Sequence, residues 1–110
     1  MDLRTIADGF SVTGQLHPED AERIAAAGFK TIICCRPDNE GDDQPAHAHV
    51  RAAAELAGLA FAYIPLAIGA APDGHALLMS EALSANPGPA LGYCRSGVRA
   101  ANIFALAKAL

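Results

Sequence analysis

The run Lys30-Thr31-Ile32-Ile33-Cys34-Cys35 constrains this chain more than any other segment. It is apolar and β-branched without polar alternation, so both faces of the strand it forms must be covered. Helices do that covering when strands and helices alternate along the chain. The flanking segments supply them. His17-Pro18-Glu19-Asp20 opens a first helix, with proline near the first turn and acids where the helix dipole favours them. The helix runs through Ala21 to Ala27, and Gly28 stops it. Ala46 to Leu59 reads as a second helix. A third begins around Pro72-Asp73 and ends before Asn86, and the last runs from Val98 to Leu110 with Ile103, Phe104, Ala107 and Leu110 on one side.

Between the helices lie further strand signals. Phe10 to Leu16 alternates weakly and predicts a short strand or hairpin, Phe61 to Leu66 a strand ended by Pro65, and Ala90 to Tyr93 a short buried strand. Arg36 to Pro45 is a polar, acidic loop, expected to be solvated and mobile. The expected architecture is therefore α/β, a three-layer α/β/α sandwich with a mainly parallel central sheet. At 110 residues, 52% of them hydrophobic and 18% charged, the expectation is a single domain over 1–110.

Charge and composition exclude several functions. A net charge of -4, with eight scattered Lys and Arg, argues against nucleic acid. No apolar stretch is long enough to cross a bilayer, and the amino terminus carries Asp2, Arg4 and Asp8, unlike a signal peptide. Three cysteines, two of them adjacent, make no disulfide framework, so the expected compartment is the reducing cytoplasm. His47 and His49 stand two apart on a helix and share no face, while His17 and His75 are isolated. We expect no metal and no cofactor.

The chemistry concentrates at Cys94-Arg95-Ser96-Gly97-Val98-Arg99, where a strand ends, a short turn follows and a helix starts. Successive N–H groups in such a turn form an anion nest, and the helix amino terminus adds positive potential. The same field favours a thiolate, the nucleophilic form of Cys94. Arg95 and Arg99 add guanidinium forks for an oxyanion, Ser96 is placed to donate to the sulfur or to a leaving group, and Gly97 permits close approach. Arg36 has two readings, anion binding at the pocket edge or pairing with Asp38, Glu40, Asp42 and Asp43. Asp73 is the acid to examine as proton donor, or else a residue that merely opens its helix. Of Cys34 and Cys35, one faces the site as a candidate resolving thiol, or both are small core residues. Gln15 has no evident chemical role.

The segments Phe10 to Leu16, Gly28 to Ile33, Arg36-Pro37-Asp38 and Tyr93-Cys94-Arg95-Ser96-Gly97 together resemble the phosphatase-like domain of the bacterial beta-lactamase hydrolase-like proteins. That resemblance implies a dual-specificity and tyrosine-phosphatase-like fold, and members are described both as phosphatases and as sulfurtransferases. Phosphatase loops of this type carry one more residue between cysteine and arginine, usually with His before the cysteine. Here four residues separate Cys94 from Arg99, Tyr93 replaces the His, and Ala100 occupies the arginine's position. The string looks like the active loop of rhodaneses, so the expected function is a sulfurtransferase that forms a persulfide on Cys94 from a small sulfur-containing anion. The alternative is a phosphatase acting on a phosphate ester, with Cys94 as nucleophile and Arg99 as phosphate binder. A non-catalytic sulfur carrier working with a metallo-hydrolase-like partner domain is the third.

Overall fold

The computed structural model describes residues 1–110. The apolar run forms β3, Thr31–Cys34, with all four residues buried. Burying Ile32 and Ile33 contributes about 1.5–3 kcal/mol each. Strand β3 pairs in parallel with β4, Ala60–Tyr63, on one side and β5, Ala90–Tyr93, on the other. Strand β5 pairs in parallel with β2, Phe10–Thr13, and β2 pairs antiparallel with β1, Arg4–Ala7. The sheet order is β1-β2-β5-β3-β4, which puts β5 at the centre.

Four helices cover the sheet. Ile24 of α1, Ala21–Ala26, joins Val50 and Ala54 of α2, His47–Leu56, in the apolar cluster on one face, with Ile32, Cys34, Leu91 and Tyr93. Met79 of α3, His75–Ala85, joins Ile103 and Phe104 of α4, Val98–Lys108, on the other, with Phe10, Val12, Ile33, Cys35 and Cys94. Alternate residues of each strand therefore feed opposite cores, as the two-residue period of a strand requires. The result is the expected three-layer α/β/α fold.

Two elements depart from expectation. Strand β1 was not anticipated. Its residues Arg4, Thr5 and Ile6 are exposed, so this edge strand carries no burial pattern to betray it. The strand-or-hairpin segment beginning at Phe10 is the second half of a hairpin turned at Asp8-Gly9, where Gly9 takes a φ of 82°. The first helix is split: Pro18–Asp20 forms a 3-10 turn, where Asp20 Oδ2 accepts from the His17 N–H at 2.9 Å, and only then does α1 begin.

Candidate functional site

Strand β5 delivers Cys94 to the carboxyl edge of the sheet's central strand, where working groups of open α/β sheets gather. Cys94 is 1% exposed, and its Sγ accepts a hydrogen bond from the Gly97 N–H at 3.0 Å. Gly97 closes the loop with a φ of 93° at the amino-terminal cap of α4. A side chain there would lie 2.6 Å from Arg4 Nη2 and 3.2 Å from the Thr13 carbonyl oxygen, so glycine serves both conformation and space. The sulfur's donor is thus a backbone amide, not Ser96. The exposed Ser96 faces its hydroxyl toward the Val98 N–H, 3.4 Å away.

Two contacts from the amino-terminal hairpin brace the loop. Arg4 Nη2 donates to the Ser96 carbonyl at 2.9 Å. Gly14 abuts the Arg95 carbonyl so closely that a Cβ would come within 2.9 Å of its oxygen. Neither residue carries a sequence signal for this role, because each acts only after β2 is docked beside β5.

Arg99 is held rigidly in the first turn of α4. Its Nη1 donates to Glu40 Oε2 at 2.8 Å and to the Leu66 carbonyl at 2.8 Å, and its Nη2 donates to Glu40 Oε1 at 2.7 Å. Three of its five N–H donors are thereby committed, which leaves Nε–H and one Nη2–H for an anion. Glu40 also accepts from Arg36 Nε at 2.9 Å, and Arg36 Nη1 donates to Gln15 Oε1 at 2.9 Å. The Arg99 hydrogen bonds, then those of Arg36, override burial and hold the Glu40 carboxyl down at about 2. Arg36 has thus taken the acid-pairing role and is buried behind Glu40. The acidic loop is not simply solvated, since Glu40 is anchored and Gln44 Nε2 donates to the Pro37 carbonyl at 2.8 Å. Gln15 acquires a function here, as the outermost brace of this chain of contacts.

Above the loop lies an open cleft of about 480 Å³ lined by Ile68, Gly69, Arg95, Ser96, Val98 and Arg99. Of the predicted site residues its lining brings together Arg95, Ser96, Val98 and Arg99, while Cys94, Gly97 and Arg36 stand outside it. No carboxylate lines it. Asp73 is exposed just ahead of α3, with its backbone carbonyl 3.1 Å from His75 Nδ1, and it does not border the cleft.

The histidines do other work. His47 Nδ1 lies 2.8 Å from Asp38 Oδ2, and its ring stacks on Tyr63 at 3.6 Å. Burial opposes the ionisation of Asp38, but the His47 hydrogen bonds hold its carboxyl below its ordinary value. No three His, Cys, Asp or Glu side chains converge as a metal site. Cys34 and Cys35 face opposite cores, and Cys35 shares that of Cys94.

The family model for the phosphatase-like domain of beta-lactamase hydrolase-like proteins matches residues 2–110. The beta-lactamase hydrolase-like protein of Agrobacterium fabrum is 30% identical over 105 residues, 96% of this chain and 24% of that protein. The chain spans about a quarter of the length of the curated relatives it matches. Among solved structures, a candidate phosphatase of Neisseria meningitidis superposes with a TM-score of 0.81 at 33% identity, covering 91% of this chain and 71% of its own. The core catalytic domain of a PP-IP phosphatase of Saccharomyces cerevisiae shares the fold, with a TM-score of 0.57 at 17% identity over 86% of this chain and 56% of its own.

Proposed function

The chain belongs to the phosphatase-like domain family of beta-lactamase hydrolase-like proteins, and from that premise we propose that it is a sulfurtransferase domain with Cys94 as its nucleophile. The observation that carries this reading is the size of the nest. Only four residues separate Cys94 from Arg99, and the Gly97 amide already reaches the sulfur at 3.0 Å. So tight a loop suits one additional sulfur better than a phosphoryl group with three equatorial oxygens. The cleft lining agrees, because it offers no carboxyl group to protonate a leaving alkoxide or phenoxide.

In this reading the Cys94 thiolate attacks the outer sulfur of thiosulfate. The donor's S–S bond breaks and sulfite leaves with the electron pair. The Gly97 amide stabilises the resulting persulfide anion, and Arg99, fixed by Glu40, offers its free Nε edge to the sulfonate oxygens. An acceptor thiol or cyanide then takes the outer sulfur and restores the Cys94 thiolate. The relatives are about four times as long as this chain, which leaves room for further domains, and we take a metallo-hydrolase-like partner domain as the recipient. No helix is long and apolar enough to cross a membrane, and we place the reaction in the cytoplasm, where thiols remain reduced.

The second reading is phosphoester hydrolysis, with Cys94 attacking phosphorus and Arg99 binding the phosphoryl oxygens. The solved neighbours favour it, since those at 33% and 17% identity are described as phosphatases. Mass spectrometry after thiosulfate treatment separates the two. We expect one added sulfur on Cys94, lost in Cys94→Ser. Efficient aryl phosphate hydrolysis without sulfur uptake would establish the second reading instead.

A further inference from the structure

We propose that Cys35 is a resolving thiol, which captures oxidised Cys94 in an intramolecular disulfide. The proposal rests on Cys94 being reactive, which both readings of the site share, and not on the choice between them.

Register carries the inference. Strands β3 and β5 pair in parallel with Cys34 opposite Tyr93, so the next residues along, Cys35 and Cys94, stand opposite one another. The ladder continues through this step, for the Cys35 N–H donates to the Tyr93 carbonyl at 2.8 Å. Neighbouring strands lie about 4.8 Å apart, inside the window of about 4.4–6.8 Å that separates the Cα atoms of disulfide-bonded cysteines. Alternation then decides which way the side chains point. Cys35 and Cys94 belong to the same apolar cluster, with exposures of 0% and 1%. Cys34 lies in the opposite cluster, its Sγ directed at the Arg36 carbonyl at 3.4 Å, with the sheet between it and Cys94. Only Cys35 has both the separation and the direction.

The oxidant we name is hydrogen peroxide, small enough for the approach that any reagent of Cys94 must use. The Cys94 thiolate attacks one peroxide oxygen, the O–O bond breaks, and a sulfenic acid forms with release of water after protonation. Cys35 sulfur then attacks Cys94 sulfur, the S–O bond breaks, and hydroxide leaves with the Cys35 proton as a second water. The two thiols are oxidised by two electrons and the peroxide is reduced to two waters. Burial, and then the neighbouring thiols, push the Cys35 thiol well above its usual range. It is therefore a neutral, inert group until a sulfenic acid appears beside it, and it carries the proton that the departing hydroxide needs. A dithiol reductant reverses the bond and restores both thiols.

The test uses the full chain. After treatment with hydrogen peroxide and blocking of free thiols, peptide mapping without reductant should find Cys35 joined to Cys94 within one chain, with loss of two hydrogens. Fragmentation of the linked peptide assigns Cys35 rather than its neighbour. Dithiothreitol should return Cys94 to its original rate of alkylation by iodoacetamide. In Cys35→Ala, Cys94 should pass on to sulfinic and sulfonic acids that dithiothreitol does not rescue, while Cys34→Ala should behave as the native chain. Equal over-oxidation of Cys94 in native protein and Cys35→Ala, a link to Cys34 or between chains, or a Cys94 untouched by peroxide would each overturn the proposal. Should Cys35→Ala fail to fold, the native peptide map still decides. Sulfur uptake from thiosulfate, measured separately, keeps failure here distinct from failure of the sulfurtransferase reading.

Discussion

Glu40 and Arg99, 59 residues apart in the chain, meet in a two-point carboxylate–guanidinium pair with N···O distances of 2.8 and 2.7 Å. Both side chains are mostly buried, at 16% and 14% exposure, and Arg36 closes the group from behind at 9%. The one carboxylate bridges both guanidiniums, so each cation has an acidic partner while the group keeps a net positive charge, and the pair aims Arg99 at the cleft. The proposed anion site is thus built around an internal anion.

Replacing that anion should be costly. In Glu40→Gln the two arginines face one another across a neutral amide, and breaking a buried pair of this kind destabilises by about 3 kcal/mol. Urea unfolding should show the loss as a lowered midpoint. Arg99 should lose its fixed orientation as well, so sulfur uptake by Cys94 should slow beyond what the unfolded fraction explains.

The same pair predicts how stability responds to acid. The folded carboxyl of Glu40 sits at about 2 against an ordinary 4.5, so the unfolded chain takes up the proton first. Its contribution is therefore complete above pH 4.5 and disappears as the pH falls toward 2. The size is on the order of 3 kcal/mol. Asp38, also held low, acts in the same direction. Thermal melts between pH 5 and pH 2 should fall steeply in the native protein and less in Glu40→Gln; parallel curves would assign the acid sensitivity elsewhere.

Gly14 should prove a loop residue in function although it lies outside the loop. In Gly14→Ala the new methyl group would press on the Arg95 carbonyl at 2.9 Å, and backbone must shift to relieve it. A displacement near 1 Å at a reacting group slows reaction by about 100-fold. Overpacking itself costs about 1–3 kcal/mol. Iodoacetamide alkylation of Cys94, followed alongside sulfur uptake, should report the displacement, and unchanged rates would show that the loop yields without harm.

Tyr93 offers a contrast. Its hydroxyl is buried with no nitrogen or oxygen partner and only the weakly bonding Cys34 thiol beside it, and burial pushes the phenol above its usual range. Removing an unsatisfied polar atom while keeping the ring relieves a desolvation penalty. Tyr93→Phe should thus be neutral or stabilising by about 1 kcal/mol in urea unfolding, with sulfur uptake intact, since the ring faces the core opposite Cys94. A clear loss of stability would reveal a hydrogen bond to the hydroxyl.

The sequence by itself determined the architecture and pointed to the passage where we propose the chemistry. The unbroken apolar run at Ile32 and Ile33 demanded cover on both faces, and the strand–turn–helix passage at Cys94 to Arg99 marked the nest. Both signals are local, written in backbone preferences and side-chain periods over a few residues. Tertiary structure alone decided which of several acids Arg36 would meet, that Glu40 would clamp Arg99, that Asp73 would stand outside the cleft, and that Arg4 would cross 92 residues of chain to hold Ser96. Four acids within seven residues of Arg36 look alike in the sequence. Strand order and register bring one of them to Arg99, and that juxtaposition depends on the packing of the whole sheet.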